Sequence, residues 1–330
     1  MQPPGGGNLT EFPTPAGEAD VGWWVVTRRG WLLFATLSVC WGIPYLFIRI
    51  AVADLDPLIV AFGRTSLGAL LLLPIAIRAG ALKPLLPYWK ILLIYTAIEI
   101  IGPWWLLGHA ETRLNSSTTG LIIAVVPIVA AIILTVMGHD RLGARRISGL
   151  VLGLVGVAFL VGIDVEVSDF ISIGQLLLVV IGYAIGPIII SRKLAHLPSV
   201  GVVTASLLIS AAAYAPFTPL VWPDRWTAPA VGSVVVLAVV CTAVAFMVMF
   251  ALVAEAGPAR MTLITYVNPA VAILLGAIVL DEPLTIGLAI GFPLVIIGSV
   301  LGTWRSTPPP AEAAGASAET GSIVDKEART

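Results

Sequence analysis

The sequence predicts an all-α integral membrane protein: ten transmembrane helices arranged as two inverted five-helix repeats, with both termini cytoplasmic. Three observations carry that expectation. The first is composition. Of 330 residues, 58% are hydrophobic and only 11% charged, and the mean hydropathy is +1.00. Soluble domains average about 45–50% apolar and about 25% charged. A soluble enzyme, a disordered protein and a nucleic-acid binder are thereby excluded, and the net charge of -1 points to no charged partner in bulk. The second is length. The strongly apolar part, residues 31–304, accommodates ten spans of roughly 20 residues with short loops between them. The third is an internal repeat, described below.

The first 30 residues read as a disordered cytoplasmic tail, rich in Pro, Gly, Glu and Thr without a helical apolar period. Thr27-Arg28-Arg29 superficially matches a twin-arginine export signal. The apolar run that follows is too long for a signal core, so the pair reads as a positive-inside anchor of the first helix. Apolar segments follow near 31–51, 57–77, 90–108, 118–137, 147–163, 174–191, 198–220, 230–253, 260–280 and 285–303. The runs are continuous rather than alternating, which favours helices over a barrel. The first repeat spans 31–163 and the second 164–304. Residues 305–330 read as a disordered cytoplasmic tail.

Charge placement sets the orientation. With the N-terminus inside, cytoplasmic segments hold Arg28, Arg29, Arg78, Lys83, Lys90, Arg141, Arg145, Arg146, Arg192, Lys193, Arg260, Arg305, Lys326 and Arg329. The outer loops keep only Arg113 and Arg225 among the basic residues, together with the acids Asp54, Asp56, Asp164, Glu166 and Asp169. A missed span would scramble this bias, so it supports both the count and the direction.

Shifting the chain by about 142 residues aligns 121–156 with 263–298 without a gap. Pro127 meets Pro269, Gly149 meets Gly291, Gly156 meets Gly298, and Asp140 meets Glu282. Trp41 falls on Tyr183. Each half thus holds five spans, and an odd number inserts the second copy upside down. Inverted repeats with a midplane site between the halves are a hallmark of secondary transporters.

The stretch TAVAFMVMFALVAEAGPARMTLITYVNPAVAILLGAIVLDEPLT (242–285) resembles the end-of-repeat signature of the EamA-like family of the drug/metabolite transporter superfamily. The first copy is SSTTGLIIAVVPIVAAIILTVMGHDRL (116–142), and Cys40-Trp41-Gly42 and Phe62-Gly63-Arg64 are similar to the family as well. Asp140 stands where many relatives carry Glu, and His109-Ala110-Glu111 replaces a more apolar stretch. The resemblance covers residues 31–303. It implies a ten-helix transporter exporting, or less often importing, small metabolites or drugs.

Charges at the membrane centre cost at least ~2.5–3.5 kcal/mol on insertion scales. Arg64 and Glu99 lie well inside spans at similar depths. They could pair with each other, or Arg64 could hold an anionic solute group while Glu99 carries a proton. Packing charges bound to backbone carbonyls are the structural alternative. Arg64 has its repeat counterpart among Thr204, Ala205 and Ser206, so its charge is not needed to make the fold. On the ninth span Thr262, Thr265 and Tyr266 share a helix face with Asn268 beside it. That face is read as cavity lining, against simple interhelix hydrogen bonding. Trp41, Tyr45 and Tyr183 are candidate walls or gates of a pocket, while Trp104 and Trp105 fit an interfacial aromatic belt. Prolines 44, 103, 127, 187, 269 and 293 bend their spans. Gly149, Gly153, Gly156, Gly287 and Gly291 make small-xxx-small contact surfaces.

No Walker A, HExxH, CxxC or GxSxG sequence is present, so no cofactor, metal site or enzymatic activity is expected and a gradient must supply the energy. Cys40 and Cys241 read as small packing residues. The expected function is a gradient-driven secondary transporter, an exporter of small metabolites such as amino acids, or of drugs, working by alternating access around a midplane cavity. A passive facilitator of the same fold and a membrane-embedded enzyme acting on lipid-linked substrates are the alternatives. Expected partners are a small-molecule substrate and the lipid bilayer, with no nucleic acid and with a homodimer left open. The expected location is the plasma membrane.

Overall fold

The computed structural model describes residues 27–138, 143–164, 169–256 and 264–303, and all regular structure among them is helical. In chain order the elements are α1 (Arg28–Ala51), α2 (Pro57–Arg78), α3 (Lys83–Glu111), α4 (Ser116–Val136), α5 (Ala144–Asp164), α6 (Phe170–Leu194), α7 (Ser199–Val221), α8 (Ala228–Glu255), α9 (Ile264–Val279) and α10 (Ile286–Thr303). Seven of them, α1–α4 and α6–α8, are long and apolar enough to cross a membrane, whereas the apolar helical stretches in α5, α9 and α10 are shorter. The outward faces carry exposed Leu70, Val151, Leu178, Leu274 and Ile278. Such a surface suits lipid, where no water penalises it.

Local sequence explains the helix starts. Thr27 Oγ1 accepts from Gly30 N–H at 2.9 Å, Asp56 Oδ1 from Leu58 N–H at 2.8 Å, and Asn115 Oδ1 from Thr118 N–H at 2.7 Å. Each satisfies an orphan amide of a first turn. Prolines explain the interruptions. In α1 the helix stops at Gly42 and restarts at Pro44, which has no N–H to give the preceding turn. In α4 it breaks at Ala124 and Val125, just before Pro127. The Ala124 carbonyl there accepts instead from Ser299 Oγ of α10 at 3.0 Å.

Helix contacts follow an exchange rule. α2 packs on α7, α4 on α9 and α5 on α10, each the counterpart of the other. α1 packs on α8 and α9; correspondingly, α6 packs on α3 and α4. α2 meets α8 as α7 meets α3. Swapping the halves therefore maps these inter-half contacts onto themselves. The α5–α10 pair is the tightest seam. A Cβ on Gly156 would stand 2.9 Å from the Gly291 carbonyl oxygen, and one on Gly298 would strike the backbone of Gly153. The two helices approach this closely because neither has side chains there.

The third span differs from the expectation. Instead of 90–108 it runs from a 3-10 turn at Lys83–Tyr88 to Glu111. The polar run His109-Ala110-Glu111 stays helical because it is covered by protein: Ala110 and Glu111 are fully buried, and His109 Nδ1 bonds the Gln175 side chain at 3.2 Å.

Candidate functional site: a caged arginine and a buried glutamate

Both repeats carry a π-helical segment at the same place. It covers Ala97–Ile101 in α3 and Val239–Val244 in α8, positions related by the 142-residue shift. A π segment adds a residue to the turn and leaves backbone groups without helical partners, which is why such segments gather at functional sites. In α3 the missing N–H of Pro103 favours the slip. Glu99 lies in the first segment, and its repeat counterpart in the second is Cys241.

Arg64 of α2 points at the second segment. Its Nε donates to Thr242 Oγ1 at 2.9 Å and its Nη2 reaches the Cys241 carbonyl at 3.5 Å. Thr242 Oγ1 in turn donates to the Leu237 carbonyl at 2.8 Å. The guanidinium lies over the Trp104 ring, 3.7 Å from its centroid, a cation–π contact of the kind that Trp makes best. Tyr45, Tyr183 and Tyr214 are within electrostatic reach around it. Tyr214 Oη donates to the Ile101 carbonyl, at the end of the first π segment, at 2.6 Å. The cage thus draws on α1, α2, α3, α6, α7 and α8, three elements from each half.

Tyr183 is within electrostatic reach of both Arg64 and Glu99. Two glycines of α6 make room for Glu99. A Cβ on Gly182 would strike the Ile98 carbonyl, and one on Gly186 would overlap the Glu99 carboxyl group. Glu99 Oε2 is buried without a hydrogen-bond partner. Arg64 and Glu99 do not pair: the ion pairs within 4.0 Å among the described residues are Arg29–Glu255 and Arg113–Asp169. The two charges are therefore held apart.

Other candidates from the sequence lie elsewhere. Trp41 packs edge-on against Phe246 of α8, centroids 6.2 Å apart, beside the cage rather than within it. Tyr266 Oη donates to the Ser299 carbonyl of α10 at 3.2 Å. With its amide nitrogen turned inward, Asn268 donates to the Ser38 carbonyl of α1 at 3.2 Å. Both residues thus tie α9 to its neighbours. Thr265 is half-buried on α9, and Thr262 lies outside the described residues. Trp105 is exposed, as a belt residue would be, but Trp104 faces Arg64. Trp104, Tyr214 and Thr242 are site residues that the sequence reading left out. Placing the end of α3 at Glu111 would have put Trp104 at the depth of Arg64.

The family model of the EamA-like transporter family matches residues 28–162 and again residues 170–304. The chain belongs to the EamA-like transporter family. Among its relatives, the uncharacterized transporter YvbV of Bacillus subtilis is 27% identical over 296 residues, covering 86% of this chain and 94% of that one. An uncharacterized transporter of Archaeoglobus fulgidus is 21% identical over 274 residues, 82% and 97% of the two chains. The uncharacterized inner membrane transporter YedA of Escherichia coli is 28% identical over 255 residues, 74% and 80% of the two. A crystal structure superposes with a TM-score of 0.61 at 18% identity, covering 83% of this chain and 96% of that one, which is agreement of fold. This EamA-like protein is accordingly a membrane transporter, multi-pass in the plasma membrane.

Proposed function

We propose that this EamA-like protein is a gradient-driven secondary transporter that exports small metabolites such as amino acids, or drugs, by alternating access. In this reading all ten elements cross the bilayer, both termini are cytoplasmic, and the halves rock about the cage. Arg64 recruits an anionic group of the solute, while Glu99 carries a proton. The observation that carries the reading is the separation of these two half-buried charges. The guanidinium stays ionised, yet its partners are a hydroxyl, a carbonyl and an aromatic face. It therefore retains capacity for a carboxylate. Glu99 Oε2 has no donor to stabilise an anion.

The test is flux into proteoliposomes for a panel of amino acids, organic acids, nucleosides and cationic drugs, with and without an imposed pH gradient. The expected result is uphill accumulation of one anion-bearing class only when the gradient is present. Movement that merely equalises concentrations would make the protein a facilitator. Transport confined to cationic drugs would remove Arg64 from solute recognition.

A further inference from the structure

We infer that Glu111 is a second proton-binding site, coupled to a latch that Glu282 makes with the start of α4. The inference rests on the proposed reading only for the use made of the proton.

The latch is plain in the geometry. The Glu282 carboxylate, in the turn between α9 and α10, accepts four hydrogen bonds from the first two residues of α4. Ser116 N–H and Oγ–H each reach Oε1 at 2.8 Å, and Ser117 N–H and Oγ–H reach Oε2 at 3.0 Å and 2.5 Å. Gly276 lets the groups meet, since a Cβ there would strike the carboxylate and both serine hydroxyls. The contact joins the second half of the chain to the first. Four donors thus meet this carboxyl group at a helix N-terminus.

Glu111 is a carboxyl group in the opposite condition. It is fully buried, and neither of its oxygens has a hydrogen-bond partner. The nearest cation, Arg49 of α1, spends a donor on the Glu111 main-chain carbonyl at 2.5 Å rather than on the carboxyl group. Within electrostatic reach of Glu111 are Tyr45 and Arg49 of α1, Tyr183 of α6 and Glu282, whose own partners are the serines of α4. Arg64 of α2 acts on the two tyrosines rather than on Glu111. An ionised carboxylate here would have no donor and would face the Glu282 anion, so the closed latch accommodates Glu111 as the neutral acid. When the latch parts, water reaches the group. Its O–H bond then breaks, the proton passes to water on that side, and the carboxylate is left opposite Arg49. Protonation from the same side reverses the step and lets the latch close. Tyr45 and Tyr183 of the cage are within electrostatic reach of Glu111, and Tyr183 of Glu99 as well.

The test is infrared spectroscopy of the purified full chain in lipid, reading the carbonyl stretch of protonated carboxylic acids, a signal independent of transport. At neutral pH the native protein should show such absorption, with one component that is lost in Glu111→Gln and retained in Glu99→Gln. Should Glu111→Gln prove unfolded, Glu111→Asp should shift the band instead. A native spectrum unchanged by Glu111→Gln would overturn the inference. Coupling is read in Ser116→Ala/Ser117→Ala, where the Glu111 band should weaken and titrate at neutral pH. A band in that variant as resistant to alkali as in the native protein would make Glu111 a packed acid and nothing more. These outcomes stand whether or not any solute is moved.

Discussion

Arg64 and Glu99 are legible from sequence because a charge at bilayer depth is costly and rare. Their relation is not, because Arg64 is held by Thr242 of α8 and Glu99 lies against Gly186 of α6. Tyr45 and Tyr183 could be read as aromatic residues at midspan, whereas Tyr214 and Thr242 reach the cage only through packing of α7 and α8 against α2 and α3. Substituting Arg64 by Ala or Glu99 by Gln is expected to abolish gradient-driven flux while the protein still inserts and folds. Normal flux in both variants would sink the site assignment. Trp104→Leu tests the cage itself. Removing the ring takes away a cation–π contact of about 0.5–2 kcal/mol, so solute affinity should fall by between about twofold and thirtyfold, a tenfold change being about 1.4 kcal/mol. The loss should appear in KM, because Trp104 holds the guanidinium that the solute meets. An unchanged KM with reduced kcat would assign the ring to conformational change instead.

Elements were easier to read than their interruptions. The apolar runs located every helix, and the prolines foretold the breaks in α1 and α4. The π segments at 97–101 and 239–244 carry no comparable signal, since the second contains no proline. Their repeat relation emerges only from the backbone. Gly186 is the element-scale test in α3 and α6. A Cβ at this position overlaps the Glu99 carboxyl group, so Gly186→Ala should displace Glu99 and depress flux nearly as far as Glu99→Gln, with little loss of folded protein. Retained flux would place Glu99 away from the α6 surface. At the α5–α10 seam, Gly298→Leu should lower stability by ~1–3 kcal/mol, the usual penalty of overpacking. A thermal-unfolding scan in detergent should show a lower Tm, and no shift would mean that the helices can separate without cost.

At the scale of the molecule, the two halves touch through polar contacts at their ends. Thr227 Oγ1 donates to Asp54 at 2.5 Å, and Glu282 clasps Ser116 and Ser117. At the start of α1, Thr27 Oγ1 donates to Glu255 at 2.7 Å. The sequence disclosed the repeat through co-registered Pro, Gly and acidic positions. It could not disclose which ends are joined, because these bonds link residues 165 or more positions apart. If the halves rock, a short thiol cross-linker between Cys residues placed at Asp54 and Thr227 should stop uphill transport, and a cleavable linker should restore it on reduction. The account's central claim is that the Arg64–Tyr183–Glu99 cluster couples a solute to a proton. The most direct test is solute-evoked proton movement in proteoliposomes, measured for the native protein, Glu99→Gln and Arg64→Ala under one protocol. The account predicts a proton signal in the native protein that disappears in both variants, with solute binding retained in Glu99→Gln and lost in Arg64→Ala. Undiminished proton movement in Glu99→Gln would contradict it.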